Sequence, residues 1–227
     1  GAGKTNLLGA IYYLCYTKSY FQSREINNVR HGTSGFRVEG HFDTEEIVCK
    51  WKDGKKTIEH NGVLYEKVTE HIGKYTAVMI APDDIELINE GSELRRKFID
   101  GLLSQSDPLY LEQLLAYQKY LLQRNAHLRQ ALVKHDLLDV YDEQLAMHGA
   151  YLIREREKLS ATLPGKVQDY YAELSGGTEK VGLQYKRCTA PEQLFTLLQR
   201  SRQRDMEYKR TLTGPHTEDW LFTIEGS

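Results

Sequence analysis

The sequence predicts an α/β fold with a helical block inserted into it, and three observations carry that prediction. Gly1-Ala2-Gly3-Lys4-Thr5-Asn6 opens the chain ahead of an apolar run from Leu7 to Leu14, the arrangement of a phosphate-binding loop that feeds a helix. From about residue 36 to 65 apolar and polar residues alternate with the period of half-buried strands. From 91 to 205 most of the chain takes the longer period of amphipathic helices, and strand patterning then returns.

Gly3-Lys4-Thr5 matches the second half of G-x-x-x-x-G-K-[ST], whose first glycine is expected three residues before Gly1. The chemistry requires these residue types. Glycines let successive backbone N–H groups curl round phosphate oxygens, and the following helix presents the positive end of its dipole. Lys4 is then placed for the β- and γ-phosphates and Thr5 for Mg²⁺, with Gly1, Ala2, Gly3 and Asn6 completing the loop. The competing reading is a glycine-rich N-terminus that caps an ordinary helix. That helix is predicted over residues 5–17, with Leu7, Leu8, Ile11 and Leu14 on one face and Gly9 weakening it.

The meander follows. Phe36 to Gly40 and Glu46 to Trp51 read as strands, with hairpin turns at Asp53-Gly54 and Asn61-Gly62. Tyr75 to Ile80 is a continuous apolar run, predicting a strand buried on both faces. Ala81-Pro82-Asp83-Asp84 ends it and caps a short helix, which makes the two aspartates caps in preference to metal ligands.

Ser92 caps a helix carrying Leu94, Phe98, Ile99, Leu102 and Leu103, and Asp107-Pro108 starts a longer one. The longer helix carries Leu111, Leu114, Leu115, Leu121, Leu122, Leu128 and Leu132. After a break near His135-Asp136 comes another, with Leu138, Tyr141, Leu145, Leu152 and Leu159, so the two form an antiparallel hairpin. Pro164 is expected to begin a further helix that Gly176-Gly177 ends. Lys180 to Arg187 alternates as a strand, Pro191 to Arg204 is helical, and Trp220 to Ile224 closes the chain as a strand.

Composition narrows the function classes. With 40% hydrophobic and 27% charged residues the chain is an ordinary soluble one, and its net charge of −2 leaves any nucleic-acid contact to local basic patches. Cys15, Cys49 and Cys188 are too far apart to form a metal-ligand pair and read as buried thiols in a reducing, cytoplasmic setting. No apolar run reaches the roughly 20 residues that span a bilayer, so no membrane is expected as a partner.

Four passages together resemble the RecF family. They are Gly1 to Leu8 with Ala10 to Leu14; Ala81 to Asp84 with Glu93 to Asp100; Tyr117 with Leu121 to Asn125; and Arg210 to His216 with Asp219. The resemblance covers nearly the whole chain. It implies a partial ABC-type ATPase lobe with the β-meander plus an inserted α-helical arm domain: 1–90 in the lobe, 91–205 in the arm, 206–227 returning to the lobe. It implies binding of ATP and Mg²⁺, an ATP-dependent homodimer with nucleotide held between one copy's Walker A loop and the other's signature motif, and binding to gapped or junction DNA. It further implies work with RecO and RecR in RecA loading during DNA repair, recombination, replication and the SOS response. The family's signature motif and Walker B strand are expected after Ser227, so no catalytic residue is assigned here. Departures from the family are Gly9, where a Glu is usual, and Thr217, where an Arg is common.

Two basic clusters are candidates for DNA phosphates, Arg95-Arg96-Lys97 and Arg200, Arg202 and Arg204. For each residue the competing reading is a solvated face with ion pairs such as Glu93 with Lys97. Gln123-Arg124-Asn125 either lines the junction of arm and head or satisfies its own polar groups, and His216 reads first as structural. Two other function classes stay open: a small P-loop phosphotransferase clamping a phosphoryl group with Arg124 or Arg129, and a noncatalytic helical interaction module.

Overall fold

A computed structural model describes residues 3–225; Gly1, Ala2, Gly226 and Ser227 lie outside the described residues. The chain forms two compact units, one of residues 1–81 with 104–108, the other of 82–103 with 109–227. No helix among the described residues is long and apolar enough to cross a membrane.

The first unit packs one helix on one sheet. Helix α1 (Lys4–Tyr16) precedes an antiparallel four-stranded meander, β1 (Gly35–Phe42), β2 (Glu45–Lys52), β3 (Lys55–His60) and β4 (Val63–Leu64), in that spatial order. Val38 pairs with Cys49 and Cys49 with Ile58, which sets the apolar positions of three strands on one face. That face buries Ile47, Cys49 and Ile58 against Tyr13 and Leu14 of α1. Both turns expected from the sequence have positive φ at their two central residues, 49° and 80° at Asp53-Gly54 and 51° and 77° at Asn61-Gly62, the type that matches strand twist.

Residues 75–80 correct the sequence expectation. They form no strand; Val78 is 92% and Ile80 84% exposed. A strand needs a neighbouring backbone to bond its N–H and C=O groups, and no described segment pairs with this one. Instead the Tyr16 hydroxyl bonds the Ala77 carbonyl and lies 3.2 Å from the Ala77 N–H.

The second unit is mainly helical. It contains α2 (Glu86–Asn89), most of α3 (Ser92–Ser106), α4 (Pro108–Leu128), α5 (His135–Ser175) and α6 (Leu194–Tyr208), with β5 (Val181–Lys186) paired antiparallel to β6 (Asp219–Ile224). α4 and α5 run antiparallel, as the paired contacts Arg124 with Asp142 and Tyr110 with Arg156 require. Their common core holds Tyr110, Tyr117, Leu145, Leu152 and Ile153, joined by Leu194 and Leu198 of α6. A second core sets Ile99, Leu183 and Trp220 against Leu159, Leu163 and Val167.

Two helix expectations are corrected. The buried face of α4 is Tyr110, Tyr117, Arg124, His127 and Leu128, while Leu115, Leu122 and Leu132 are exposed. Tyrosines and an arginine seven residues apart occupy the centre of the interface, and of the predicted leucine stripe Leu114 and Leu121 pack beside them and Leu128 is buried. Pro164 starts no new helix but lies inside the 41-residue α5, which rises about 60 Å. A proline interior to a helix costs about 3 kcal/mol, and Leu159, Leu163 and Val167, packed around it on β5 and β6, hold the helix through it.

Gly149 shows how tightly α5 is seated. A Cβ there would lie 2.7 Å from Leu194 Cδ2, 3.0 Å from Tyr117 Cε2 and 3.2 Å from Pro215 Cγ. Gly149→Ala is therefore expected to destabilise the chain by about 1–3 kcal/mol despite alanine's better helix propensity. Equilibrium denaturation in urea checks this, and an unchanged or raised midpoint contradicts the packing.

Candidate functional site

The residues singled out from the sequence divide between the units. In the first, Gly3 caps α1 in the left-handed region, with φ 94° and ψ −5°. Glycine adopts that region without the Cβ strain of other residues. No side chain caps the helix, and the first N–H groups of a helix have no intrahelical acceptor. Lys4, Thr5 and Asn6 are exposed beside that end. The turn thus presents free backbone donors, a cation and a hydroxyl to an anion, the donor set a nucleotide phosphate with Mg²⁺ requires. The parts of the loop assigned to Gly1 and Ala2 lie outside the described residues.

In the second unit, three stretches far apart in sequence, 93–100, 117–125 and 210–219, join through buried polar bonds. Arg124 is fully buried on α4. Its Nε donates to Asp142 of α5 at 2.8 Å, and its Nη1 donates to Asp205 of α6 and to Thr211 Oγ1, each at 2.8 Å. Asn125 Oδ1 accepts from the Thr211 N–H at 2.7 Å, and Asp205 also accepts from Leu212 N–H and Ser201 Oγ. Arg124 and Asn125 therefore pin the loop after α6 to the helical hairpin, while Gln123 is exposed.

A second buried arginine, Arg156 of α5, does the same for α3 and β6. It donates to Asp100 at 2.7 Å, to Glu218 at 2.6 Å and to the Pro215 carbonyl at 2.8 Å. Burial alone lowers its pKa, but Tyr110, Asp100 and Glu218 outweigh that and hold it above the usual value. Glu218 also accepts from Tyr185 Oη at 2.6 Å and from Cys188 N–H at 3.1 Å. Burial, and then the Glu218 charge, push the Cys188 thiol up, so it is a poor nucleophile.

His216 is structural. Its Nε2 lies 3.1 Å from the Thr211 carbonyl, which only accepts, so Nε2 carries the proton and Tyr117 Oη donates to Nδ1 at 2.7 Å. Thr217 donates to the Gly214 carbonyl at 2.8 Å, closing the turn beside it.

The basic clusters separate. Arg95 makes a two-pronged ion pair with Asp219 at 2.8 and 3.1 Å and also donates to the Leu87 and Glu90 carbonyls. Arg96 is half-buried and donates to the Glu218 carbonyl at 2.6 Å. Lys97 forms an exposed pair with Glu93. Arg202 bonds Asp142 and Asp139, each at 2.6 Å. Arg200 and Arg204 are exposed one turn apart on α6. Sequence reasoning missed Arg156, Asp142, Asp205 and Glu218. An arginine on the same face as Leu145, Leu152 and Ile153 was the available signal for the first, because a charge on an apolar face needs a buried partner. The fully buried Arg124 has no access to a transferring phosphoryl group, which removes one of the two lid arginines a phosphotransferase would use.

Removing Arg124 would leave the buried Asp205 without a cationic partner and Asp142 with Arg202 alone, so Arg124→Ala is expected to destabilise the chain by about 3–5 kcal/mol; denaturant titration measures it, and a loss below about 1 kcal/mol contradicts the network. Burial holds His216 below its ordinary 6.5, opposed by the Thr211 carbonyl and reinforced by Arg96. The unfolded chain then binds a proton that the folded chain does not. The stability from neutral His216 is complete above 6.5 and is lost as the pH falls from there through the folded value. His216→Gln is expected to lower the melting temperature most at neutral pH, the gap narrowing on acidification; thermal melts across that window test it.

No protein-family model matches the chain. It is 39% identical over 99% of its length to the DNA replication and repair protein RecF of Flavobacterium johnsoniae, of which it covers 65%, and 36% identical over its full length to that of Parabacteroides distasonis, of which it covers 63%. The chain thus spans a little under two thirds of the curated relatives it matches. A solved structure of the recombination mediator protein RecF-ATPrS in RecFOR pathway superposes with a TM-score of 0.90 at 30% identity, covering all of this chain and 66% of that one. One of RecF-ATP in RecFOR pathway superposes with 0.89 at 32% identity, covering 99% and 66%.

Proposed function

The chain belongs to the RecF family, and from that premise we propose that it carries part of the nucleotide site of a DNA replication and repair ATPase head. The observation that supports this best is the uncapped first turn of α1, with left-handed Gly3 and exposed Lys4 and Thr5. Similarity to RecF solved with ATP and ATPrS supports ATP as the nucleotide. In this reading the N–H groups after Gly3 and the Lys4 ammonium hold the phosphates, Asn6 with Gly1 and Ala2 completes the loop, and Thr5 ligates Mg²⁺. The nucleotide would be held between this loop and the signature motif of a second copy.

The finer assignments follow the family. The head acts as an ATP-dependent homodimer on gapped or junction DNA in the cytoplasm, with RecO and RecR, in RecA loading. Residues 1–90 and 206–227 serve the ATPase lobe, and 91–205 the arm. No catalytic base is assigned to this chain. For DNA phosphates the exposed Arg200 and Arg204 are the stronger choice, because Arg95 and Arg202 already hold carboxylates.

Lys4→Ala in the complete protein is expected to abolish ATP-dependent dimerisation, measured by sedimentation velocity with and without ATP and Mg²⁺. Unchanged dimerisation with unchanged nucleotide affinity would count against the phosphate-loop reading. Because Lys4 is exposed at a helix end, the fold itself should be unaffected.

A further inference from the structure

The face of the meander turned away from α1 carries a cluster that the phosphate loop does not use. Residues two apart on a strand share a face, so Glu39 and His41 of β1 lie on the side opposite Val38. His41 pairs directly with Glu46 of β2. A ring nitrogen of His41 and one carboxylate oxygen of each glutamate all lie within 4.8 Å of one another. Glu39 and His41 are exposed and Glu46 is half-buried. Val48, opposite Glu39 on the same face, is only 2% exposed, so the cluster stands beside apolar surface, where attraction between charges is stronger than in water.

The other charges on this face are paired. Arg37 bonds Glu39, and Lys50 bonds Glu59 at 2.6 Å. The side chains of His41 and Glu46 form no ion pair and no hydrogen bond among the described residues. Two carboxylates therefore converge on one imidazole with a single cation, Arg37, beside them. Arg37 takes Oε2 of Glu39, and a carboxylate offers a second oxygen. Carboxylates that ligate a metal are commonly held by an outer hydrogen bond of this kind. One imidazole nitrogen with two carboxylate oxygens is a donor set that zinc accepts, whereas Mg²⁺ and Ca²⁺ select oxygen alone.

We propose that Glu39, His41 and Glu46 bind Zn²⁺ beside the turn that joins β1 to β2, with water in the fourth tetrahedral position. The ligands come from two neighbouring strands, and β1 is an edge of the sheet, so the metal braces that edge strand against β2. The site shares no residue with the phosphate loop, and Zn²⁺ binds here with or without nucleotide.

Titration of the whole 227-residue chain with zinc chloride, without nucleotide, tests this by calorimetry and by NMR of the histidine ring protons. One Zn²⁺ per chain is expected, with the His41 ring signals the first to move and the melting temperature rising with zinc concentration. His41→Ala and Glu46→Gln should each weaken binding by about tenfold or more. Both should leave the metal-free melting curve unchanged, because neither side chain has a partner to lose. His31→Ala, an exposed histidine in the loop before β1, should bind zinc as the parent chain does. Zinc binding that survives His41→Ala or Glu46→Gln overturns the proposal, as does binding that His31→Ala removes. An equal response to Mg²⁺ overturns it in favour of an unselective carboxylate pair. Silence of the His41 ring signals at millimolar zinc overturns it outright.

Discussion

The second unit depends on buried guanidinium–carboxylate pairing. Arg124 holds carboxylates from α5 and α6, and Arg156 holds carboxylates from α3 and from the residue before β6. Taking such charges out of water costs several kcal/mol per ion. The cost is met only when the geometry supplies each charge with close partners, so few alternative arrangements satisfy both arginines at once. Leucine packing alone tolerates sliding by a residue or a turn. Two arginines with directional donors do not. The register of α4 on α5 follows from them, and so does the path of the chain from α6 to β6.

This constraint also explains the distribution of recognisable residues. Tyr117, Arg124, Asn125, Gly214, Pro215 and His216 resemble family motifs, yet here they bond one another or their immediate neighbours. Tyr117 meets His216, His216 meets Thr211, and Thr211 meets both Arg124 and Asn125. Their work is architectural. The chemistry-bearing groups are elsewhere, at the open end of α1, where nothing in the first unit covers Lys4 or Thr5. The buried polar network excludes solvent, whereas the first turn of α1 leaves its backbone donors, Lys4 and Thr5 open to it.

Much of this was legible in the residues, and the gaps have physical causes. Asp53-Gly54 and Asn61-Gly62 form tight turns because positive φ is a local property of those dipeptides. α1 starts at Lys4, directly after left-handed Gly3, for the same local reason. The segment 75–80 was misread because apolarity reports burial only if a partner exists, and Val78 and Ile80 have none in the first unit. Pro164 was misread because the local penalty of a proline is smaller than the packing of Leu159, Leu163 and Val167 around it.

By itself the sequence determined most of the elements, the antiparallel meander and the helical hairpin, because propensity and turn chemistry act over a few neighbouring residues. It also carried the family resemblance. Tertiary structure alone decided which charges are sequestered. Arg95 and Arg202 looked like phosphate ligands and hold carboxylates; Arg200 and Arg204, of the same residue type, face solvent. An arginine's role is set by what stands opposite it, and its partners here lie up to 124 residues away along the chain.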